Sequence, residues 1–472
     1  MNLFFEYQKK DYKSLSFLEK PEDRVTFKSI LNKLWTERKK FGLTSVYFDD
    51  NSKQTEQQFF SFHDTYIKAG NYIGSIKYGE NTVHIIPKIL KKGLNNNYTE
   101  SELLNISNKN LLWWLSRCSK IKFPKSFTSW NTRDYSFLDI LIHLFSSLTR
   151  DDIVYNKHQS YIEKEESIHT LRGRIDFSEY ATNYHTGNAH VLPCIYDSLE
   201  INNLYNQIIK FTSKLLLQHT DNEEITKKLQ EIIWILDDVE DIFLTAADCE
   251  RVVVSPLNDN MKIILDYCKM FLSGMSIRSE DNELEIFTLL IPTEKLFEDF
   301  IFGFIKDKFQ YKFGIRDIIA QGDEFGRQLP LAVEKDKTGK VIKKAFRLRP
   351  DIYISRDSNN IILDTKYKVI YTKEEAKQDD RIENGVSISD IYQMIAYTIK
   401  LKVNTCHLIY PDYLGVENDL YTHYEIEHGG NMSISKIFYH RIPALIKDDN
   451  GELDSIIQTK EEELYEVFNQ II

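Results

Sequence analysis

At 472 residues the chain is too long for one ordinary core and should divide into roughly two to four domains. Its 42% hydrophobic, 28% charged and 13% aromatic residues exclude wholesale disorder. A formal charge of −11 excludes a protein that binds nucleic acid over its whole surface, while leaving room for a local basic patch.

Cys118, Cys194, Cys249, Cys268 and Cys406 show no CxxC pairing. This argues against a zinc site or a disulfide framework and for reduced, mostly buried thiols. The amino-terminal "MNLFFEYQKKDYKSLSFLEK" mixes charges into its apolar residues, so it has no signal-peptide core. No stretch approaches the roughly 20 apolar residues that span a bilayer. The expectation is a cytoplasmic protein with no membrane partner.

In chain order, "NYIGSIKYGENTVHIIPKI" holds two apolar runs separated by Gly79, Glu80 and Asn81, a β-hairpin ending near Pro87. The first hundred residues therefore read as β-rich. The polar stretch from Lys91 to Glu102 reads as a break, after which "NKNLLWWLSRCSKI" and "YSFLDILIHLFSSLTRDDI" carry helical spacing. Trp113 and Trp114 read as core or interface anchors rather than base-stacking platforms. "LRGRIDFSEY", Leu171 to Tyr180, interrupts the helices. Its Arg172 and Arg174 flank a glycine as in a simple turn, the alternative being contact with DNA or with a partner's nucleotide pocket. "DSLEINNLYNQIIKFTSKLLL" then predicts a helix opened by a capping box of Asp197 and Glu200.

Beyond "NELEIFTLLIP", Thr293 is the expected N-cap of a helix whose apolar stripe is Leu296, Phe297, Phe300, Ile301, Phe304 and Ile305, with Glu298 beside it. Strands follow around Phe346 to Ile354 and Ile361 to Tyr367, then a helix from Ser389 to Lys400 and a strand at "CHLIYP". That order is α/β.

Within it, "RPDIYISRDSNNIILDTKYK" carries chemistry. Alternation on a strand points Asp364 and Lys366 to one face and Thr365 to the other. The short polar turn "SRDSNN" lets the two strands pair antiparallel and brings Asp351 to Asp364. Adjacent carboxylates repel unless a cation separates them. Mg²⁺ suits two aspartates and waters, and Lys366 beside them suits phosphodiester hydrolysis. Glu298 is a further ligand or water-positioning acid. Gln393 and Tyr397, four apart on one helical face, either reach a nucleotide or a catalytic group or form the edge of the core. From Lys335 to Lys373 there are eleven Lys or Arg against four Asp, a phosphate footprint that includes Arg347, Arg349 and Lys368 as DNA-binding candidates. The bland alternative makes Asp351 a turn residue and Asp364 with Lys366 a solvated strand face, but Asp364 follows the apolar run "IIL", where an idle charge is costly.

These residues resemble the PD-(D/E)xK nuclease superfamily. More narrowly, "YIGSIKYGENTVHIIPKI", "LRGRIDF", "DSLEINNLYNQIIK", "LFEDFI", "RPDIYI...IILDTKYK" and "DIYQMIAY", in that order, resemble the McrC family of restriction subunits. The resemblance implies a restriction-endonuclease-like α/β domain over 285–472, a β-rich partner-binding domain over 1–100 and a mainly helical region over 101–284. It implies a catalytic core of Asp351, Asp364 and Lys366 supported by Glu298 and Gln393, with the two aspartates holding Mg²⁺. It also implies double-stranded DNA as substrate, a separate McrB-like AAA+ GTPase forming a hexameric ring, and pairing of two nuclease subunits for double-strand cleavage. The chain has no G-x-x-x-x-G-K-[ST] loop, so the motor must be another protein. The rival readings are a non-catalytic adaptor of an AAA+ ring and a stand-alone exonuclease.

Overall fold

The structure, a computed structural model, describes residues 2–37, 47, 56–78, 81–96, 98–120, 123, 136–156, 158–254, 259–274, 286–320, 330–357, 359–368, 382–383, 386–414, 421–427, 434–447 and 452–472. Two compact units emerge: Met1–Phe137 with Ile277–Ile472, and Leu138–Ser276. Helices and sheets are mixed in both.

The amino-terminal part of the first unit contains β1 (Asn2–Phe5), β2 (Lys9–Asp11), α1 (Pro21–Glu37), β3 (Phe60–Phe62), β4 (Tyr66–Ala69), β5 (Tyr72–Tyr78), β6 (Asn81–Ile86) and α2 (Glu100–Arg117). The hairpin reading holds: β5 and β6 pair antiparallel, with Tyr78 opposite Asn81, while Gly79 and Glu80 lie outside the described residues. Helix α1 was not foreseen. Its Phe27, Leu31 and Trp35 pack with Phe4, Phe59, Phe60 and Tyr72 into one buried cluster. The polar break resolves into a cap, since Thr99 and Glu102 form a reciprocal capping box at the start of α2.

The second unit holds α3 (Phe137–Tyr155), β7 (Ser160–Ile168), β8 (Arg174–Ile175), α4 (Phe177–His185), β9 (Leu192–Glu200), α5 (Leu204–Leu217), α6 (Glu223–Ile235) and α7 (Asp259–Gly274). It is mainly helical, yet β7, β9 and β8 form a three-stranded sheet. This corrects the expected capping box. Asp197 and Glu200 lie on β9, which pairs along its full length with β7, and the true cap of α5 is Asn203, whose side chain accepts from the Asn206 N–H. In "LRGRIDF", Gly173 adopts φ +63, and a Cβ there would meet the Ile195 carbonyl at 2.3 Å, so the turn requires glycine.

The first unit resumes with β10 (Ile286–Pro292), α8 (Thr293–Phe309), β11 (Ile315–Ala320), β12 (Pro330–Lys335), β13 (Val341–Arg347), β14 (Ile352–Arg356), β15 (Ile361–Thr365), β16 (Ile382–Glu383), β17 (Val386–Ser387), α9 (Ile388–Leu401), β18 (Thr405–Pro411), β19 (Tyr421–Glu427), β20 (Ile434–Ile442) and α10 (Leu453–Ile471). β10 pairs antiparallel with β5, completing the sheet β1-β6-β5-β10. Thr293 is not the N-cap: it is already helical, and its hydroxyl donates to the Asn71 carbonyl instead. The strand expected over Phe346 to Ile354 is two strands, because Leu348 to Asp351 leaves one sheet for another. The larger sheet runs β11-β14-β15-β18-β20-β19. One of its faces buries Ile362, Cys406, Leu408, Ile437 and Tyr439 with Met394 and Tyr397 of α9. The stripe of α8, Leu296 through Ile305, is buried as expected. Trp113 and Trp114 are wholly buried against Phe300. Among the described residues no helix is long and apolar enough to cross a membrane.

Candidate active site

The site grows from the β14–β15 hairpin. Ile352, Tyr353 and Ile354 face Leu363, Ile362 and Ile361, β-branched, aromatic and aliphatic residues suited to a buried strand pair. The turn between them is fixed by Asn360, whose side chain accepts from the Arg356 N–H. Continuing this register places Asp351 across from Asp364. β15 also lies parallel to β18, and the Lys366 N–H extends that ladder to the Ile409 carbonyl at 2.8 Å.

Asp351 and Asp364 are both buried, at 8% and 0% exposure, so their charges are outside bulk water. The Lys366 ammonium lies in direct contact with Asp364 Oδ2. Gln393, from α9, joins the group: its Oε1 accepts from Lys366 Nζ at 3.1 Å, and its Nε2 donates to Asp364 Oδ1 at 3.4 Å and to the Tyr397 hydroxyl at 2.7 Å. Glu298, on α8, is buried with Lys295 Nζ at 2.8 Å.

The electrostatics follow from burial and mutual repulsion. Burial, then the Asp364 charge, pushes Asp351 up to about 7, against the opposing effect of Thr365 and Lys366. Burial, then the Asp351 charge, pushes Glu298 up to about 7 despite Lys295. Burial also raises Asp364, although Lys366 pulls it back. For Lys366, burial disfavours the ammonium, but the Asp364, Asp351 and Asp390 charges outweigh it and the group ends raised. The ammonium therefore stays charged among carboxylates.

The structure thus gathers Glu298, Asp351, Asp364, Lys366 and Gln393. Other expected positions lie differently. Tyr397, expected at the DNA surface, is buried at 2% exposure, because its hydroxyl donates to the Arg349 carbonyl at 2.9 Å while holding Gln393. Lys368 is held by both oxygens of Asp390, at 3.0 and 2.9 Å, so the fold already uses part of its charge. Arg349 is exposed, and Arg347 ends β13 opposite Pro330.

Two participants were not anticipated. Thr365, assigned to the far face, donates both its N–H and its hydroxyl to Asp351 Oδ2, each at 2.8 Å. Asp390, three residues before Gln393 on α9, is buried and also accepts from the Tyr410 hydroxyl. Among the described residues no three His, Cys, Asp or Glu side chains converge as a ready-made metal cage.

Residues 67–411 match the family model described as McrBC 5-methylcytosine restriction system component. No curated protein matches the chain. A chain of the refined half-complex from the tetradecameric assembly of Thermococcus gammatolerans McrB AAA+ hexamers with bound McrC is similar in fold. Its TM-score is 0.70 at 16% identity, covering 100% of this chain and 99% of that one. A chain of the cryo-EM structure of the Thermococcus gammatolerans McrBC complex matches at a TM-score of 0.48 and 18% identity, over 64% of this chain and 85% of that one, and adds nothing to the fold comparison. With the family model covering most of its length, the chain belongs to the McrBC 5-methylcytosine restriction system components.

Proposed function

We propose that the chain is the nuclease subunit of a McrBC-like restriction system, with a PD-(D/E)xK domain over 285–472 that hydrolyses DNA phosphodiesters. The carrying observation is the pair of buried carboxylates, Asp351 and Asp364, with the half-buried Lys366 ammonium on Asp364 and Gln393 bonded to both Asp364 and Lys366. A solvated strand face would not bury two carboxylates at such desolvation cost.

The donor set fits Mg²⁺. This ion needs one or two carboxylates and keeps several waters, and Asp351 and Asp364 offer two buried carboxylates across one strand pair. Bound by Asp351 and Asp364, Mg²⁺ would supply Lewis-acid polarisation of a phosphate oxygen and a more acidic water. Thr365 orients Asp351 through two hydrogen bonds. Lys366 carries the positive charge that a phosphorane-like transition state requires, and Gln393 fixes the direction of its ammonium. Glu298, partly protonated near neutral pH, can hold or release a proton at the edge of the group.

The partner would be a GTPase of the McrB type forming AAA+ hexamers like those of the Thermococcus gammatolerans assembly, with residues 1–100 as the partner-binding part and duplex DNA as substrate. Two subunits would meet to cut both strands. The test is cleavage by the complex with its AAA+ partner, GTP and Mg²⁺, comparing the parent with Asp364→Asn and Asp351→Ala. Cutting should be abolished while GTP turnover and complex formation persist. Undiminished cutting by either variant overturns the site, and a parent complex that turns over GTP without cutting makes the chain an adaptor.

A further inference from the structure

β12 and β13 form a two-stranded sheet of their own, attached to no other sheet among the described residues. An isolated ribbon is marginally stable in water and carries no core of its own. Every residue from 331 to 344 is exposed, on both faces. Even so, the tip is rigidly built. Asp336 Oδ1 accepts from the Thr338 N–H, the Thr338 hydroxyl and the Lys340 N–H, at 2.8, 2.6 and 2.9 Å, and Gly339 supplies the φ of +83 that closes the turn.

The charge on the ribbon is lopsided. From Pro330 to Arg347 there are six Lys or Arg against two acids, in a chain of net charge −11. Both acids are consumed internally: Asp336 by the turn, and Glu334 by Lys343 across the strands at 3.2 Å. Lys335, Lys337, Lys340 and Lys344 are left without an ion pair among the described residues. Four unopposed ammonium groups on a preorganised exposed arm have one natural complement, a dense row of phosphates.

The root of the arm fixes where those phosphates would lie. Arg347 is followed by Leu348, buried in the core cluster with Tyr353 and Tyr397, and three residues separate Arg347 from Asp351. Six extended residues reach roughly 20 Å, and a two-stranded ribbon has dimensions that the major groove of duplex DNA admits. Leu331, Val333, Val341 and Ile342 are exposed on the same ribbon and offer apolar contact to sugars and thymine methyls between the lysines.

We infer that the β12–β13 ribbon is a DNA-holding arm, which binds duplex beside the scissile bond through Lys335, Lys337, Lys340 and Lys344. This rests on the nuclease reading for its place beside Asp351, yet its test does not depend on cleavage. The full chain, with EDTA present, is titrated onto a short labelled duplex over a range of salt concentrations. The comparison is with the variant carrying Lys335→Gln, Lys337→Gln, Lys340→Gln and Lys344→Gln, and with a second in which all four become arginine.

Each phosphate contact contributes about 0.9 to the slope of log affinity against log salt, so the glutamine variant should lose about 3 to 4 from that slope. Between ~50 and ~200 mM salt this removes about a 100-fold salt effect, and the arginine variant should restore it. An unchanged slope, or no duplex affinity in the parent chain, overturns the arm. So does a glutamine variant that keeps its slope but no longer associates with the AAA+ partner, since the ribbon would then serve a protein. A slope lost as expected, in a complex that never cuts, retains the arm and overturns the nuclease reading instead.

Discussion

Asp351 and Asp364 differ in what offsets their charge. Asp364 touches the Lys366 ammonium, whereas the Asp351 oxygen that Thr365 holds receives two neutral donors, so ionising Asp351 beside Asp364 is the costlier event. Its folded-state value, about 7, lies above the 3.8 of an unperturbed aspartate. The folded state then holds more protons than the unfolded one, and stability falls as pH rises from about 4 to about 7. Asn at 351 can still accept from Thr365 and carries no charge. In the metal-free chain, Asp351→Asn should therefore match or exceed the parent at pH 8 by about 1–3 kcal/mol, with the gap closing by pH 5. Urea midpoints at the two pH values check this, and a variant less stable than the parent at pH 8 refutes the electrostatic account. The pairing of Asp364 with Lys366, and of both with Asp351, was legible because strand alternation and a short turn leave few alternatives. Thr365 was not, because alternation assigns faces on an ideal strand and Thr365 is the last residue of β15, where its hydroxyl turns back to Asp351. Asp390 was missed for another reason: an acid in the first turn of a helix reads as a dipole partner on the surface, and nothing local reveals that Lys368 and Tyr410 bury it.

At the scale of elements, the helix carrying Glu298 is seated by a glycine. A Cβ on Gly303 would meet the Arg117 carbonyl at 1.9 Å, so α8 and the end of α2 approach closely only because residue 303 has no side chain. Backbone cannot rotate away, and Gly303→Ala must push the helices apart at a cost of about 1–3 kcal/mol. The neighbouring ties are Asp299, which accepts from the Ser119 N–H and the Lys120 N–H, and Arg117 paired with Glu461. The expected outcome is a lowered thermal midpoint and, on the proposed nuclease reading, cleavage reduced by the misplacement of Glu298. A variant as stable as the parent would mean that the two helices do not meet there. The segment that follows β15 and bears Lys366 is anchored similarly at Tyr367, whose hydroxyl donates to the buried Glu6 at the end of β1 at 3.0 Å. Helices with continuous apolar stripes, α3 and α8, were readable because their period is local. The end of β9, Asp197 to Glu200, was read as the start of a helix because its partner β7 lies some thirty residues upstream, beyond any window in which periodicity is visible. The helix α1 escaped because its apolar residues are diluted by charges and it packs through a few large side chains, Phe27 and Trp35 among them.

For the whole molecule, the pH dependence of folding combines two opposed sets of buried groups. Glu6, Glu298 and Asp351 are raised, chiefly by burial, and therefore favour the fold more as pH falls. His84, His143 and His440 are lowered to about 4 and His407 to about 3, again chiefly by burial, so the folded chain favours their neutral form. A base depressed in the folded state contributes stability that is present above its unfolded value of 6.5 and is lost as pH falls towards the folded one. The pair His407 and His440 makes this acute. Nδ1 of the first lies 2.9 Å from Nε2 of the second, so one nitrogen donates and the other accepts, and protonating both rings would set two N–H groups against each other. Replacing both by glutamine removes their titration while leaving the carboxylates untouched, so the difference between variant and parent isolates the histidines. Between pH 7 and pH 5 the parent should lose about 2–4 kcal/mol more than His407→Gln with His440→Gln. Urea unfolding at the two pH values measures that difference, and parallel losses in the two proteins would show that the imidazoles accept protons without cost and are not buried as described.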